Sequence, residues 1–301
     1  MADQSPKRNY ISITIITVCL NAVSTIETAL QSVLDQKYPK LEYIVVDGGS
    51  TDGTLDIITK YRSQLAHVIS EPDNGIYDAF NKGIRLATGD IVGILNADDF
   101  YTKWTFSELA NAYVKQPETD IFYGRCAFVN EAKGRYWVSP LVPAEISLKK
   151  FKYMPHPACF VTKKAYARFG LFDIRYRIAG DADFLHRCFR LGGNFQSVDS
   201  VLSIMRLGGV SNVSPAPKVY REVWSIWFRQ EPFWKALKHV IYSFGVNILL
   251  QYYLRRLVIF LRLHSLWVNL KAKVTRSNVT GTTFCSWESL MDDLGRLSSK
   301  P

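Results

Sequence analysis

The sequence predicts an α/β protein whose N-terminal half is a doubly wound, Rossmann-like parallel sheet, on three observations. Apolar, β-branched runs recur near residues 11–20, 41–47, 67–70 and 91–96, helical stretches separate them, and two of the runs close on aspartates, Asp47 and Asp98. Strand and helix signals alternating in this way argue a parallel sheet with ligands beyond the carboxyl ends of its strands.

The elements follow in order. "ISITIITVCL" (11–20) reads as a buried strand, and "TIETALQSVLDQ" (25–36) has helical spacing with Ser24 or Thr25 as its cap. "LEYIVVDGGSTDGT" (41–54) is a second strand that runs into a Gly, Ser and Asp cluster and opens the helix "LDIITKYRSQL". "AHVISEP", "GIYDAFNKGIRLA" and "DIVGILNADD" supply a third strand, a helix and a fourth strand. Beyond Phe100 the texture changes to a helix ("TFSELANAYVKQ") and strand-like pieces ("DIFYGRCAFVN", "GRYWVS") suited to an antiparallel extension, so the whole sheet is expected to be mixed. "PHPACFVTKKAYARFG" reads as strand plus helix, "AGDADFLHRCFRLGG" as a helix, and "FQSVDSVLSIMRLGGVSN" finishes the unit before the boundary "SPAPK".

The expected organisation is a polar N-terminus (1–9), a globular domain (10–213), a basic amphipathic helical segment (217–275) and a polar tail with a short helix (276–301). Net charge is +10, and residues 217–276 carry eleven Lys and Arg against two Glu, so nearly all of the basicity lies in that segment. Its longest uncharged run, 240–254, is shorter than the roughly 20 residues that a spanning helix needs. On a helical wheel Asn247, Gln251, Arg255, Arg262, Asn269 and Lys273 form one polar stripe, with apolar residues over most of the remainder. That pattern fits a bilayer interface better than packing on a second subunit, and the bulky aliphatics argue against nucleic acid. Five scattered cysteines without CxxC spacing and a polar N-terminus lacking a signal-like apolar stretch lead us to expect a cytoplasmic chain, and the basic amphipathic segment leads us to expect it peripheral on the inner face of the cytoplasmic membrane. The oligomeric state is left open.

One stretch asks for an explanation. "GILNADDF" (93–100) ends an apolar run on two adjacent carboxylates, which repel each other and resist desolvation unless a cation or solvent meets them. It stands third among four motifs: "VVDGGSTDGT" (45–54), "SEPDNGIYDAFNKG" (70–83), "LNADD" (95–99) and "AGDADFLHR" (179–187). In that order and at those spacings, over about residues 10–212, they resemble the family-2 glycosyltransferases, inverting enzymes of the GT-A fold that use nucleotide-sugars.

The resemblance assigns expected roles. Thr17, Asn21, Asp47, Asp73, Lys82, Asn96, Ala97, Asp99 and Arg206 belong to the nucleotide and donor side. The family's loop after the second strand often carries two adjacent acids, but here Gly48 follows Asp47, so the contact rests on Asp47. Asp73, Asn74 and Gly75 read as a turn, and Asn81, Lys82 and Gly83 as the end or kink of a helix, with Asp73 and Lys82 near ribose or diphosphate. The family's Asp-x-Asp aligns on Asn96, Ala97 and Asp98, which leaves Asp98 as the direct ligand of a divalent cation, Mn2+ or Mg2+, and Asp99 to support it or to meet a sugar hydroxyl. The acid pair ahead of a later helix aligns on Gly180 and Asp181, making Asp181 the base, with Asp183 as the alternative. His156 falls on the acceptor side, and "MRLGGVS" (205–211) with Arg206 suits closure over a diphosphate.

No Gln-x-x-Arg-Trp motif of the processive synthases is present, which favours single addition. The expectation is therefore transfer of one sugar from a UDP-sugar to a hydroxyl of a lipid-linked glycan, in cell-surface polysaccharide biosynthesis. Two rival readings are a non-catalytic nucleotide-sugar-binding protein, since Asn96 and Gly48 replace acids, and a membrane-surface scaffold. A dehydrogenase is disfavoured because "NAVST", not GxGxxG, follows the first strand.

Overall fold

The computed structural model describes residues 10–149, 154–207, 216–242, 282–283, 290–292 and 294–295. The polar N-terminus, Cys285, the last part of the Gly-rich loop (208–211) and the polar stripe from Asn247 to Lys273 lie outside the described residues. The chain divides into two compact units, Met1–Asn212 with Thr282–Pro301, and Val213–Gly281.

In the first unit, strand and helix alternate as expected: β1 (Ile13–Cys19), α1 (Ile26–Leu34), β2 (Leu41–Asp47), α2 (Thr54–Lys60), β3 (His67–Ser70), α3 (Ile76–Leu86) and β4 (Ile91–Asn96). There follow β5 (Phe100–Tyr101), α4 (Thr105–Lys115), β6 (Ile121–Asn130), β7 (Arg135–Val138), α5 (Ala144–Lys149), β8 (Cys159–Thr162), α6 (Lys163–Phe169), α7 (Gly180–Arg190) and β9 (Phe195–Arg206). A last short strand, β10 (Thr282–Thr283), returns from the far end of the chain.

The sheet runs β10-β7-β6-β8-β4-β1-β2-β3, with β9 also paired to β6 and β5 to β9. Strands β4, β1, β2 and β3 are parallel, while β8 is antiparallel to both β4 and β6, so the sheet is mixed. Every residue of β1 is buried, which is why it reads as an unbroken apolar run and not as an alternation. Register then builds the site: Cys19 pairs with Asp47, Asp47 with Ser70 and Val18 with Asn96, so four strand ends meet along one edge.

Three local expectations change. Helix α3 continues through Asn81, Lys82 and Gly83, because Asn81 is satisfied by a partner far along the chain and Gly83 packs against Ile16 of β1, where a Cβ would collide. Thr25 sits at the N-cap of α1, but its hydroxyl lies 3.5 Å from Ala22 O and caps no helix N–H. The Gly180–Asp181 pair, expected ahead of a helix, lies inside α7, whose N-cap is Ala179, so Asp181 sits in its first turn.

The tail is more than a polar connector. β10 pairs antiparallel with β7, and Leu290 and Leu294 are buried in a cluster with Phe100, Ala127, Val129, Tyr136, Val201 and Ile204. In the second unit, α8 (Ala216–Gln230) and α9 (Phe233–Tyr242) are joined by a turn at Glu231 and Pro232, and Ile226, Trp227 and Ala236 are buried. No helix among the described residues is long and apolar enough to cross a membrane.

Candidate active site

The strand ends of β1, β2, β3 and β4 bring most of the expected residues to one edge, in different states of use. Asp47 is fully buried and its carboxylate is consumed locally. Oδ2 accepts from Gly49 N (3.1 Å), Ser50 N (3.0 Å) and Ser70 Oγ (2.7 Å), while Oδ1 accepts from Ser50 Oγ and Cys19 Sγ. Burial alone would raise this carboxyl, but the hydrogen bonds from Ser50 and Ser70 outweigh it and hold it below its ordinary value. Asp47 thus shapes the loop that follows β2. Asn21, in a left-handed conformation, ties the β1 end to that loop: its N–H donates to Ser50 Oγ, and Thr51 N–H donates to its Oδ1. Thr17 is fully buried, its hydroxyl 2.8 Å from Tyr43 OH, so it serves the interior of the sheet.

Lys82 is likewise engaged. Its ammonium donates to Pro72 O at 2.9 Å and lies 2.8 Å from Glu71 and 3.8 Å from Asp78. It braces the β3–α3 loop. In that loop Asp73 accepts from Gly75 N at 2.7 Å, and Gly75, at φ +98°, lies against the Arg177 guanidinium so closely that no Cβ would fit. Arg177 is a residue the motifs did not flag, and only the folded chain places it beside Gly75.

At the end of β4, Ala97 N–H continues the sheet to Val18 O at 3.1 Å and turns the chain towards Asp98 and Asp99. Asp99 is buried: one oxygen accepts from Arg206 N (3.2 Å) and the other from Asn96 Nδ2 (3.3 Å). Burial, and next the charge of Asp98, push its carboxyl well above the usual range. Arg206 closes the corner, donating to Asp98 O at 3.0 Å and to Glu131 at 2.7 Å with its guanidinium over the Phe100 ring. Two oxygen donors are left for a ligand. Asn96 Oδ1 is buried with no hydrogen-bond partner, and the carboxyl of Asp98, two residues on, is raised by burial against the pull of Arg206 and His156. Hard oxygen donors of this kind fit Mg2+ or Mn2+. Among the described residues no group of three or more His, Cys, Asp or Glu is placed to hold a cation, so the protein supplies only part of a coordination shell.

His156 links this corner to α7, since its ring feels both Asp98 and Asp181. Asp181 Oδ1 accepts from Ala182 N at 2.8 Å and lies 3.3 Å from Tyr77 OH, while Oδ2 lies 3.9 Å from His156 Nδ1. Tyr77 OH also donates to Ile178 O at 2.8 Å, and its ring explains Gly180, where a Cβ would come within 2.8 Å of it. No motif singled out Tyr77, and only the folded chain brings it beside Asp181. The His156 ring packs on Phe80 at 5.5 Å, its Nε2 is buried without a partner, and burial pushes the imidazole down against the opposite pull of Asp181 and Asp98. Asp183, two residues on, is buried and turned to Arg187 at 3.7 Å, away from the face that carries Asp181. His156 feels the charge of both Asp181 and Asp98, so the partly exposed Asp181 carboxylate and the cation-compatible corner belong to one site, which suits deprotonation of a hydroxyl and departure of an anion.

Known proteins share this framework. The PGL/p-HBAD biosynthesis glycosyltransferase of Mycobacterium tuberculosis is 31% identical over 205 residues, 66% of this chain and 78% of that protein. Among solved structures, S. aureus TarS matches with a TM-score of 0.58 at 21% identity over 73% of this chain and 39% of that chain, so this chain spans less than half of its length. The TarS 1-349 fragment in complex with UDP-GlcNAc gives 0.61 at 18% identity over 80% of this chain and 77% of that one. The mannosyltransferase PcManGT of Pyrobaculum calidifontis, in complex with GDP-Man and Mn2+, gives 0.57 at 20% identity over 78% and 69%. These structural likenesses establish the fold, that of the GT-A glycosyltransferases. The model of glycosyl transferase family 2 matches residues 14–175, from β1 to the loop ahead of α7. That match takes in more than half of the sequence, and the chain belongs to glycosyl transferase family 2.

Proposed function

We propose that this glycosyltransferase moves one sugar, with inversion, from a UDP-sugar to a hydroxyl of a lipid-linked glycan at the inner membrane surface, in polysaccharide or glycolipid biosynthesis. The observation that carries the reading is Asp181, beside Tyr77 and His156, with His156 in turn under the charge of both Asp181 and Asp98.

In this reading Asp181 takes the proton of the acceptor hydroxyl as its oxygen bonds to the anomeric carbon, and the carbon–oxygen bond to the nucleoside diphosphate breaks with its electron pair on the leaving phosphate. Tyr77 and the Ala182 N–H fix the carboxylate, and His156 lines the acceptor side. Asn96 and Asp98 would hold Mn2+ or Mg2+, which when bound supplies charge for the leaving diphosphate. Arg206, anchored to Glu131 and Asp98, keeps that corner in shape. The UDP-GlcNAc bound to TarS supports the donor class. The lipid-linked acceptor is supported by α9, where Phe233 (59% exposed) and Trp234 (77%) stand beside Lys235.

Thermal unfolding with UDP, GDP and CDP, each with and without Mn2+, tests the donor. A nucleotide at about 100 times its dissociation constant stabilises the fold by about 2.7 kcal/mol. A cation-dependent shift with UDP is the expected result. A shift with UDP that ignores the cation removes the metal from the proposal, and no shift with any nucleotide overturns the reading.

A further inference from the structure

Leu290 and Leu294 stand four residues apart in helical backbone near the end of the chain, and both are fully buried. The cluster that buries them includes Phe100, the residue after Asp99, and Val201 and Ile204 of β9. Gly295 extends the contact: a Cβ there would meet the Trp104 ring at 3.5 Å, and the Trp104 indole N–H donates to Val201 O at 2.9 Å. The tail therefore packs on both segments that complete the corner of Asn96 and Asp98, the chain from Phe100 to Trp104 and the last part of β9.

Those two segments are joined at the corner itself. Phe100 pairs with Ile204 where β5 meets β9. Two residues further along β9, the Arg206 N–H donates to Asp99 at 3.2 Å and the guanidinium donates to Asp98 O at 3.0 Å. The same guanidinium lies 4.9 Å from the centre of the Phe100 ring. Phe100 is thus shared between the cluster that holds the tail leucines and the cation that shapes the Asp98–Asp99 turn. A close-packed interior relaxes only partly when volume is lost, so a cavity at Leu294 is felt at Phe100.

We propose that Leu290 and Leu294 are positioning residues for the cation corner: they seat the Phe100 ring, Phe100 seats Arg206, and Arg206 sets the Asp98–Asp99 turn in the form that can receive a divalent cation with the donor diphosphate. This rests on the donor reading above. The far end of the chain then completes the donor site without touching any ligand.

Calorimetric titration of the full chain with UDP, with and without Mn2+, tests the linkage. Leu294→Ala and Phe100→Leu should each weaken UDP in Mn2+ by about tenfold and leave the affinity without the cation unchanged. Combined, they should weaken it little more than either alone, because both act through one contact. Leu294→Met, close to leucine in volume, should bind as the parent does. Leu65→Ala opens a cavity ahead of β3, at the other end of the parallel strands, and should lower stability without lowering affinity. Urea midpoints show which variants are folded, and Leu294→Val carries the same test at a smaller cost in stability, with an expected loss of about threefold. Leu294→Ala and Leu294→Val binding UDP in Mn2+ as the parent does would overturn the proposal and leave the donor reading intact, as would equal weakening by Leu65→Ala or losses that simply add. A parent protein whose UDP binding ignores Mn2+ removes the cation from the donor reading, and the proposal with it.

Discussion

Asn81 and Phe172 are joined by two reciprocal hydrogen bonds, Asn81 Nδ2 to Phe172 O at 2.8 Å and Phe172 N to Asn81 Oδ1 at 3.0 Å. The pair stitches α3 to the segment that leads into α7, and both residues are buried. Asn81→Ala strands a buried N–H and a buried carbonyl, so it should cost about 2 kcal/mol or more. Urea unfolding would show this as a lower midpoint with an unchanged slope.

Asp181 and Asp183 separate chemistry from scaffolding. Asp181→Asn should lower turnover by about 10²–10⁴-fold while leaving the dissociation constant for UDP where it was. Asp183→Asn removes the partner of Arg187, which itself holds Phe169 O and Leu171 O, and should lower the melting temperature more than turnover. Steady-state kinetics and calorimetry on both variants check the split. The opposite pattern would make Asp183 the base.

Asp47 should show itself in the pH dependence of stability. Its carboxyl lies below the ordinary value when folded, so its contribution is complete above the unfolded value of about 3.9 and is lost as the pH falls through the folded one. Asp47→Asn should therefore be less stable than the parent by about 1–3 kcal/mol at neutral pH, with the gap constant down to about pH 5 and closing below about pH 4. Denaturation midpoints across that range measure the difference directly.

Phe233 and Trp234, rings 5.3 Å apart at the start of α9, predict attachment to anionic bilayers. Replacing both by serine should weaken sedimentation with phosphatidylglycerol vesicles by about tenfold or more and leave UDP binding unchanged. Equal binding of the parent protein to neutral and anionic vesicles would count against the basic residues as partners.

The sequence read its local signals well and its distant ones poorly. β1, β2 and β4 were legible because strands covered on both faces are unbroken β-branched runs, and α4 and α7 because their apolar positions recur at helical spacing. Asp98 and Asp181 were legible as acids at the end of a strand and the start of a helix. That Asp47 is satisfied by Ser50 and Ser70 was not, since Ser70 is brought to it only by the pairing of β2 with β3. The same holds for Asn81, whose partner lies 91 residues away. Gly180 invited comparison with a missing acid, yet its reason is the ring of Tyr77, about a hundred residues earlier in the chain.

The return of β10 to β7, and of Leu290 and Leu294 to Phe100 and Tyr136, bears on how the protein is made. Chains emerge from the ribosome N-terminus first, and early segments fold as they appear. Here the sheet of the first unit cannot gain its last strand, nor its second apolar cluster its last leucines, until residues 213–281 have been made. The nascent sheet is thus left with an unpaired edge at β7 for the time it takes to synthesise about seventy further residues, and closing that edge is among the last steps in completing the enzyme.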